Sequence, residues 1–296
     1  MGGPNARATS AYDRALLEAL DSLAADDDQW GGVLHLTVAR RLVELVAPRP
    51  GDSCLDVGGG DGAVAGALAA AVKGGTVVSV DLRLRTLTSA GAAPLALANT
   101  HRVRGDRDEI IFRDNTFDVV VLSRSIAYEQ DAGMIVVEAS RTLKVGGRIA
   151  LFCRRRGLAT VAEQAYLDLL ESFVDKSGIN LPARFLAYPG WADRRQVDIV
   201  LRSLGFDDCV FGDVVTGGRA AGAADWNREM AAIWPAARIV VNAIGGRTRT
   251  AFEARVDTLM HLLGEDGYRF HHPYLLVAAT KRRDTVTTGA APPPPG

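Results

Sequence analysis

Apolar and polar positions follow two different periodicities along the middle of the chain. Short apolar runs that predict strands lie at residues 53–57, 76–80, 101–104, 117–123 and 148–152. Segments with apolar residues at helical spacing lie between them, at residues 63–72, 86–97 and 132–143. Alternation of strands with helices is typical of a parallel sheet that is covered by helices on both faces. The pattern therefore predicts a doubly wound α/β fold, in which a ligand binds beyond the carboxyl ends of the strands.

Helical segments also flank this α/β pattern. The remaining predicted elements are helices at 11–24, 33–46, 160–176 and 193–204 and strands at 209–214 and 274–280. Residues 216–272 are much longer than a hairpin connection needs and contain further helical patterns. We therefore divide the chain into a helical cap at 1–48, an α/β core at 49–214, a helical insertion at 215–272, the last core strand at 273–283 and a proline-rich tail at 284–296 that we expect to be disordered.

A glycine-rich turn follows the first predicted strand. Its glycines are Gly58, Gly59, Gly60 and Gly62. Glycine adopts positive φ without strain and lets the main chain approach a ligand that a Cβ would block. The amides at the start of the next helix point towards the same place. We therefore expect this turn to bind a cofactor.

Two acidic residues narrow the choice of cofactor. The glycine spacing alone also fits a dinucleotide-binding pattern, with Gly58, Gly60 and Ala63 in its three positions. Asp56, two residues before the turn, would repel a diphosphate and attract a positively charged ligand. Asp81 ends the second predicted strand, where its carboxylate can accept hydrogen bonds from two ribose hydroxyls. Together they favour a cationic nucleoside cofactor.

Further motifs follow in order along the chain. They are Asp56-x-Gly58-x-Gly60-x-Gly62, Asp81 after the second strand, Gly105-Asp106, Phe117-Asp118 and LKVGGRIALF at 143–152. Through these motifs the chain resembles the class I S-adenosylmethionine-dependent methyltransferases of the small-molecule type, over residues 43–152 and more loosely over 191–211 and near Tyr274. The resemblance implies a Rossmann-like doubly wound sheet of about seven strands, mostly parallel with an antiparallel last strand. It also implies that the N-terminal helices and the insertion contribute to the acceptor pocket.

The resemblance assigns the candidate cofactor contacts. Asp56 and the glycines at 58–62 would hold the methionine part of S-adenosyl-L-methionine, and Asp81 would bind its ribose. The other implied contacts are Leu82 and the backbone of Arg107 beside the adenine, Asp106 at the adenine exocyclic amine, and Ser123 at the sulfonium end. S-adenosyl-L-homocysteine would then be the product.

The acceptor side of the site carries fewer markers. His35 is the candidate general base, since imidazole titrates near neutral pH and its helix precedes the cofactor site. Tyr128, Tyr188 and Trp191 lie on segments that would cover the acceptor-binding site, and they are the candidate substrate contacts. No cluster of histidines, cysteines and carboxylates has metal-ligand spacing, so we expect no bound metal.

Composition bears on partners and compartment. The chain has 296 residues, a formal net charge of -1 and 48% hydrophobic residues. This balance gives no global field to attract nucleic acid or an anionic membrane, so we expect a small-molecule substrate. There is neither a signal-peptide pattern nor a run long enough to span a membrane, and three cysteines without metal spacing fit a reducing compartment. We therefore expect a cytoplasmic protein. The sequence is compatible with a homodimer but does not decide the oligomeric state.

Three functions agree with these patterns to different degrees. The first is methylation of an oxygen, nitrogen or carbon atom of a small molecule, such as a secondary metabolite. The second is a cyclase or isomerase on the same scaffold, in which the cofactor is bound but keeps its methyl group. The third is a nicotinamide-dependent oxidoreductase, which shares the glycine spacing but is disfavoured by Asp56 and by Gly105-Asp106.

Overall fold

The computed structural model of the protein describes residues 31–59, 62–81, 98–105, 110–122, 132–155, 160–177 and 194–283. These residues divide into two units. The α/β unit contains the described residues within 31–158, 189–216 and 272–296, and the helical unit contains those within 159–188 and 217–271.

The strands form one seven-stranded sheet. They are β1 (Ser53–Val57), β2 (Thr76–Asp81), β3 (Thr100–Arg104), β4 (Phe117–Leu122), β5 (Leu143–Arg154), β6 (Phe206–Arg219) and β7 (Arg269–Lys281). Their spatial order is β3-β2-β1-β4-β5-β7-β6. The pairs β1–β2, β1–β4, β2–β3 and β4–β5 are parallel, whereas β7 is antiparallel to β5. The Rossmann-like fold class and its antiparallel last strand are thereby confirmed.

The middle of this sheet contains its topological switch point. β1 has β2 on one side and β4 on the other, so the chain order runs outwards in opposite directions from this strand. Val57 at the end of β1 pairs with Val80 on one side and with Leu122 on the other, which brings the carboxyl ends of the three strands level. Ligands of doubly wound sheets bind at such a point.

Eight α-helices lie among the described residues. They are α1 (Gly31–Val46), α2 (Ala63–Ala71), α3 (Ala132–Thr142), α4 (Val161–Ser177), α5 (Arg194–Ser203), α6 (Ala223–Ile233), α7 (Pro235–Ala243) and α8 (Gly246–Leu262). Alternation along β1 separates two cores: Leu55 and Val57 pack with residues of α3 and α5, whereas Cys54 packs with residues of α1 and α2. Asp56 therefore projects from the face of β1 that also carries Cys54.

The helical unit has an aromatic core. The rings of Tyr166 in α4 and Trp226 in α6 meet edge to face with their centroids 6.1 Å apart. α4 begins with a capping box, in which the Thr160 hydroxyl accepts a hydrogen bond from the Glu163 amide and the Glu163 carboxylate accepts one from the Thr160 amide, each at 3.0 Å. The buried Glu163 also accepts a hydrogen bond from the His271 amide at 3.2 Å, so it joins the start of α4 to the start of β7.

Several elements differ from the sequence-based expectation. Within the insertion the sequence pattern predicts helices near 225–233 and 252–263 and none over Pro235–Ala243. The structure has α7 there, with its proline at the first position, where the missing amide is not needed. β6 and β7 are longer than expected because they are neighbours in the sheet, and pairing carries their polar ends beyond the apolar runs. α4, which we assign to the core from its sequence position, falls in the helical unit. The helices expected at 11–24 and 86–97 lie outside the described residues.

Candidate functional site

The turn between β1 and α2 is fixed by the end of β2. The amides of Gly58 and Gly59 both donate to the Val80 carbonyl oxygen, at 2.8 and 3.3 Å. The Gly62 amide donates to the Gly59 carbonyl at 2.8 Å and closes the turn. Gly58 and Gly62 have φ of 77° and 84°, which lie in the left-handed region that glycine adopts without strain. Two of the predicted glycines therefore have a conformational reason to be glycine.

Gly59 is required for a different reason, because its surroundings leave no room for a side chain. A Cβ built on Gly59 would overlap the Ser79 hydroxyl oxygen and would lie 2.8 Å from Oδ2 of Asp56. The main chain of the turn thus lies directly against two polar side chains at the switch point.

Asp56 is the buried acid of this site. Its residue surface is fully buried, and its Oδ2 accepts a hydrogen bond from the Ser79 hydroxyl at 3.3 Å. A carboxylate that is shielded from water attracts a neighbouring group of positive charge. The structure thus shows Asp56 buried with Ser79 as a partner, and its contact with a cofactor stays a prediction.

Asp81 lies at the carboxyl end of β2. It is 7% exposed, so its carboxylate is close to the surface but largely shielded from water. Its carbonyl oxygen accepts a hydrogen bond from the Gly105 amide at 3.3 Å, one residue after β3. Through this bond and the strand register, Asp81 and Gly105 lie at the same edge of the sheet as Gly58.

The start of α2 completes the described part of the site. Gly62 precedes the helix without a side-chain cap, and no acidic residue lies in the first turn. An uncapped helix start carries a partial positive charge and favours a carboxylate, such as that of an amino acid. The described residues therefore fit S-adenosylmethionine: two shielded acids for its cationic and ribose parts, and a glycine cradle that a single Cβ would fill.

The other candidate residues cannot be compared with the structure. Those outside the described residues are Gly60, Leu82, Asp106, Arg107, Ser123, Tyr128, Tyr188 and Trp191. His35 belongs to α1, but its side chain is not described. The structure thus brings together Asp56, the three described glycines and Asp81, and their assigned contacts with the cofactor stay predictions.

Sequence reasoning missed Ser79. It is a single polar residue inside the apolar run of β2, 5% exposed, and the period of the strand puts it on the same face as Val77. The available signal was this interruption, because a serine in a buried strand needs a hydrogen-bond partner.

The cysteines are not part of this site. Burial raises the pKa of the Cys54 and Cys153 thiols to about 12, so both are protonated at neutral pH. Cys209 is only partly buried, in contrast to the buried position that its place beside a strand suggests, and its pKa is also raised to about 12 by burial and by Asp198. Among the residues that the structure describes, no group of three potential metal ligands is present.

The fold defines a Rossmann-like α/β domain, and comparison with known proteins shows which proteins this domain resembles. Residues 55–151 match the family model described as methyltransferase domain. Nocamycin O-methyltransferase from Saccharothrix syringae is 40% identical over 134 residues, which are 44% of this chain and 48% of that protein. A 2-phytyl-1,4-naphtoquinone methyltransferase from Synechococcus elongatus is 31% identical over 149 residues, 48% of this chain and 64% of that protein.

Solved structures share the fold. A crystal structure from Bacillus halodurans C-125 that is assigned to the methyltransferases has a TM-score of 0.58 at 21% identity, covering 83% of this chain and 99% of that one. The [4+2]-cyclase SpnF has a TM-score of 0.53 at 16% identity, covering 95% of this chain and 97% of that one.

Residues 55–151 of the α/β unit therefore match a methyltransferase domain, and the curated relatives that share this region are methyltransferases. The chain spans about half to two thirds of the length of the curated relatives it matches, and the matched family segment ends at residue 151, before the first helix of the helical unit.

Proposed function

We propose that this protein is a methyltransferase that transfers the methyl group of S-adenosyl-L-methionine to an oxygen, nitrogen or carbon atom of a small molecule. The observation that carries the proposal is the buried Asp56 carboxylate against the glycine turn, with Asp81 at the neighbouring strand end. Both acids lie within the segment that matches the methyltransferase domain. When bound, the cofactor supplies a methyl group on a positively charged sulfur.

Within this proposal each residue of the site has a binding role. Asp56 holds the amino group of the methionine part, the glycine turn packs against that part, and Asp81 accepts hydrogen bonds from the ribose hydroxyls. The other cofactor contacts are Leu82, Asp106 and Arg107 at the adenine and Ser123 at the sulfonium end.

The contribution of the chain to the reaction is alignment and the exclusion of water. The chain would need no acid on the leaving side, because the cofactor product would be a neutral thioether. On the acceptor side, His35 accepts the proton of a hydroxyl acceptor, and Tyr128, Tyr188 and Trp191 contact the acceptor. The main electrostatic task belongs to Asp56, which stabilises the charged cofactor before transfer.

The relatives support a small acceptor without fixing the atom that is methylated. One is named as an O-methyltransferase and another, from Teredinibacter turnerae, as the ubiquinone/menaquinone biosynthesis C-methyltransferase UbiE, at 29% identity over 145 residues. Acceptor choice is therefore assigned to the helical unit and to the residues before β1, which lie outside the matched family segment. A secondary metabolite is the acceptor class we favour.

The compartment and the assembly are proposed on sequence alone. None of the helices that the structure describes combines the length and the apolarity needed to cross a bilayer. The cytoplasmic location, the absence of nucleic-acid and membrane partners and the homodimer stay predictions.

Two measurements test the proposed function. Calorimetric titration of the purified chain with S-adenosylhomocysteine and with oxidised nicotinamide dinucleotide should give binding for the former alone. Mass spectrometry should then follow a deuterated methyl group from the cofactor into a panel of phenols, enols, hydroquinones and amines. Binding of the dinucleotide in place of the nucleoside would refute the proposal. Tight binding with conversion of an added compound but without any gain of the labelled methyl would support the cyclase or isomerase alternative.

A further inference from the structure

Ser79 lies inside β2, beside the acidic residue of β1. The register pairs Ser79 with Asp56, so the two side chains stand next to each other on one face of neighbouring parallel strands. The Ser79 hydroxyl donates to Asp56 Oδ2 at 3.3 Å, and both residues are buried. The serine therefore supplies a neutral hydrogen-bond donor to a carboxylate that has little access to water.

Ser79 and Gly59 also share one small volume. A Cβ on Gly59 would overlap the Ser79 hydroxyl and would lie 3.2 Å from the Ser79 Cβ. Gly59 cannot move away easily, because its amide is held by the Val80 carbonyl and its carbonyl accepts the Gly62 amide. The space next to Asp56 is thus filled by the hydroxyl of Ser79, and this is possible only because residue 59 has no side chain.

We infer that Ser79 is a positioning residue of the cofactor site, whose hydroxyl orients the Asp56 carboxylate towards the methionine part of the ligand, and that Ser79 and Gly59 are coupled in size. The inference rests on the proposed function, because it assigns to Asp56 the amino group of that part. Ser79 itself does not contact the ligand in this scheme. Its effect reaches the ligand through Asp56.

Two ligands separate this role from a general structural one. S-adenosylhomocysteine contains the amino acid part, whereas 5′-methylthioadenosine has the same nucleoside and sulfur without it. Calorimetry on Ser79→Ala should show about 10-fold weaker binding of S-adenosylhomocysteine, the scale of one long hydrogen bond to a charged group. Binding of 5′-methylthioadenosine should be unchanged. Equal weakening of both ligands, or no weakening of either, would overturn the positioning role.

The matched control is Ser140→Ala in α3. Ser140 is also a fully buried serine of the α/β unit, and its hydroxyl has no hydrogen-bond partner among the described residues. We expect this variant to bind both ligands as the unmodified protein does. If the wild-type protein itself did not bind S-adenosylhomocysteine, the proposed function would be refuted. This result is distinct from a failure of the positioning role, which shows only in the comparison of variants.

The size coupling is tested by rescue. Gly59→Ala alone should lower the melting temperature of the ligand-free protein and abolish binding of S-adenosylhomocysteine, because the new Cβ overlaps Ser79. Adding Ser79→Gly to it should restore most of the melting temperature and binding of 5′-methylthioadenosine. S-adenosylhomocysteine should stay at least about 10-fold weaker, because the Cβ of residue 59 still lies 2.8 Å from Oδ2 of Asp56. A double variant that is as unstable as Gly59→Ala, with Ser79→Gly alone well folded, would contradict the shared volume.

Discussion

Asp81→Asn tests the assignment of the ribose site with a change of one atom. Asp81 ends β2 with 7% exposure, and its main chain is held by parallel pairing and by the Gly105 amide. The variant keeps this backbone and the side-chain shape. It removes the charge and replaces one acceptor oxygen with a donor, so one of the two proposed hydrogen bonds from ribose is lost.

The expected loss follows from the kind of bond. A hydrogen bond to a charged group contributes about 1.5–3 kcal/mol when its partner is removed. The dissociation constant for S-adenosylhomocysteine should therefore rise by about 10-fold to 100-fold in Asp81→Asn. Because 5′-methylthioadenosine contains the same ribose, its binding should weaken to the same extent, unlike the selective loss expected for Ser79→Ala.

The matched control makes the same substitution at the opposite edge of the sheet. Asp118 lies near the start of β4, where its carboxylate accepts hydrogen bonds from the Ser53 amide at 3.0 Å and from Lys144 Nζ at 2.8 Å. Asp118→Asn should lower the melting temperature and leave both ligand affinities unchanged. Unaltered affinity in Asp81→Asn, measured in protein that melts like the wild type, would refute the ribose assignment.

Three further predictions concern buried or paired polar groups in the two units. Lys281 is buried, and its Nζ donates to the carbonyls of Ser140 and Leu143 at 2.8 and 2.7 Å. Lys281→Met should therefore lower the free energy of unfolding by about 2–4 kcal/mol in denaturant titrations. An unchanged denaturation midpoint would contradict this prediction. Burial tends to raise the pKa of Asp118, but hydrogen bonds from Lys144 and a backbone amide lower it overall. The ionised carboxylate therefore stabilises the fold above its unfolded pKa, and this contribution should be lost as the pH falls below about 4. Asp118→Asn should remove this part of the pH dependence of the free energy of unfolding. Asn227 in α6 is 4% exposed with no hydrogen-bond partner for its amide among the described residues, so Asn227→Leu should raise the melting temperature, whereas a fall would indicate that water or a bound molecule pairs with the amide.

The sequence predicts the part of the molecule in which short-range patterns decide the structure. β1 was expected at 53–57 and is found at Ser53–Val57, because an apolar run that is bounded by a proline-rich segment and glycines has few alternatives. The glycine turn could be predicted for a similar reason, since Gly58 and Gly62 need a backbone conformation that only glycine adopts freely.

Other features depend on contacts between residues that are distant in the chain. Ser79 and Asp56 are 23 positions apart, and only the strand register shows that they are partners. The full lengths of β6 and β7 arise from their pairing, which no local pattern encodes. Thr160 and Glu163 combine both cases. Their spacing is a local capping signal, whereas no local pattern shows that the His271 amide donates a hydrogen bond to Glu163.

The hydrogen bonds of the turn also explain why glycine spacing alone is a poor guide to the ligand. In a dinucleotide site the turn and the helix start offer main-chain amides to a diphosphate. Here the amides of Gly58 and Gly59 are engaged by the Val80 carbonyl, and the buried Asp56 carboxylate stands beside them. A diphosphate would therefore lie beside a negative charge where it needs hydrogen-bond donors. An ammonium or sulfonium group would be attracted by the same charge. The same four glycines therefore favour different ligands according to the residue two positions before the first of them, which in this chain is the acid Asp56.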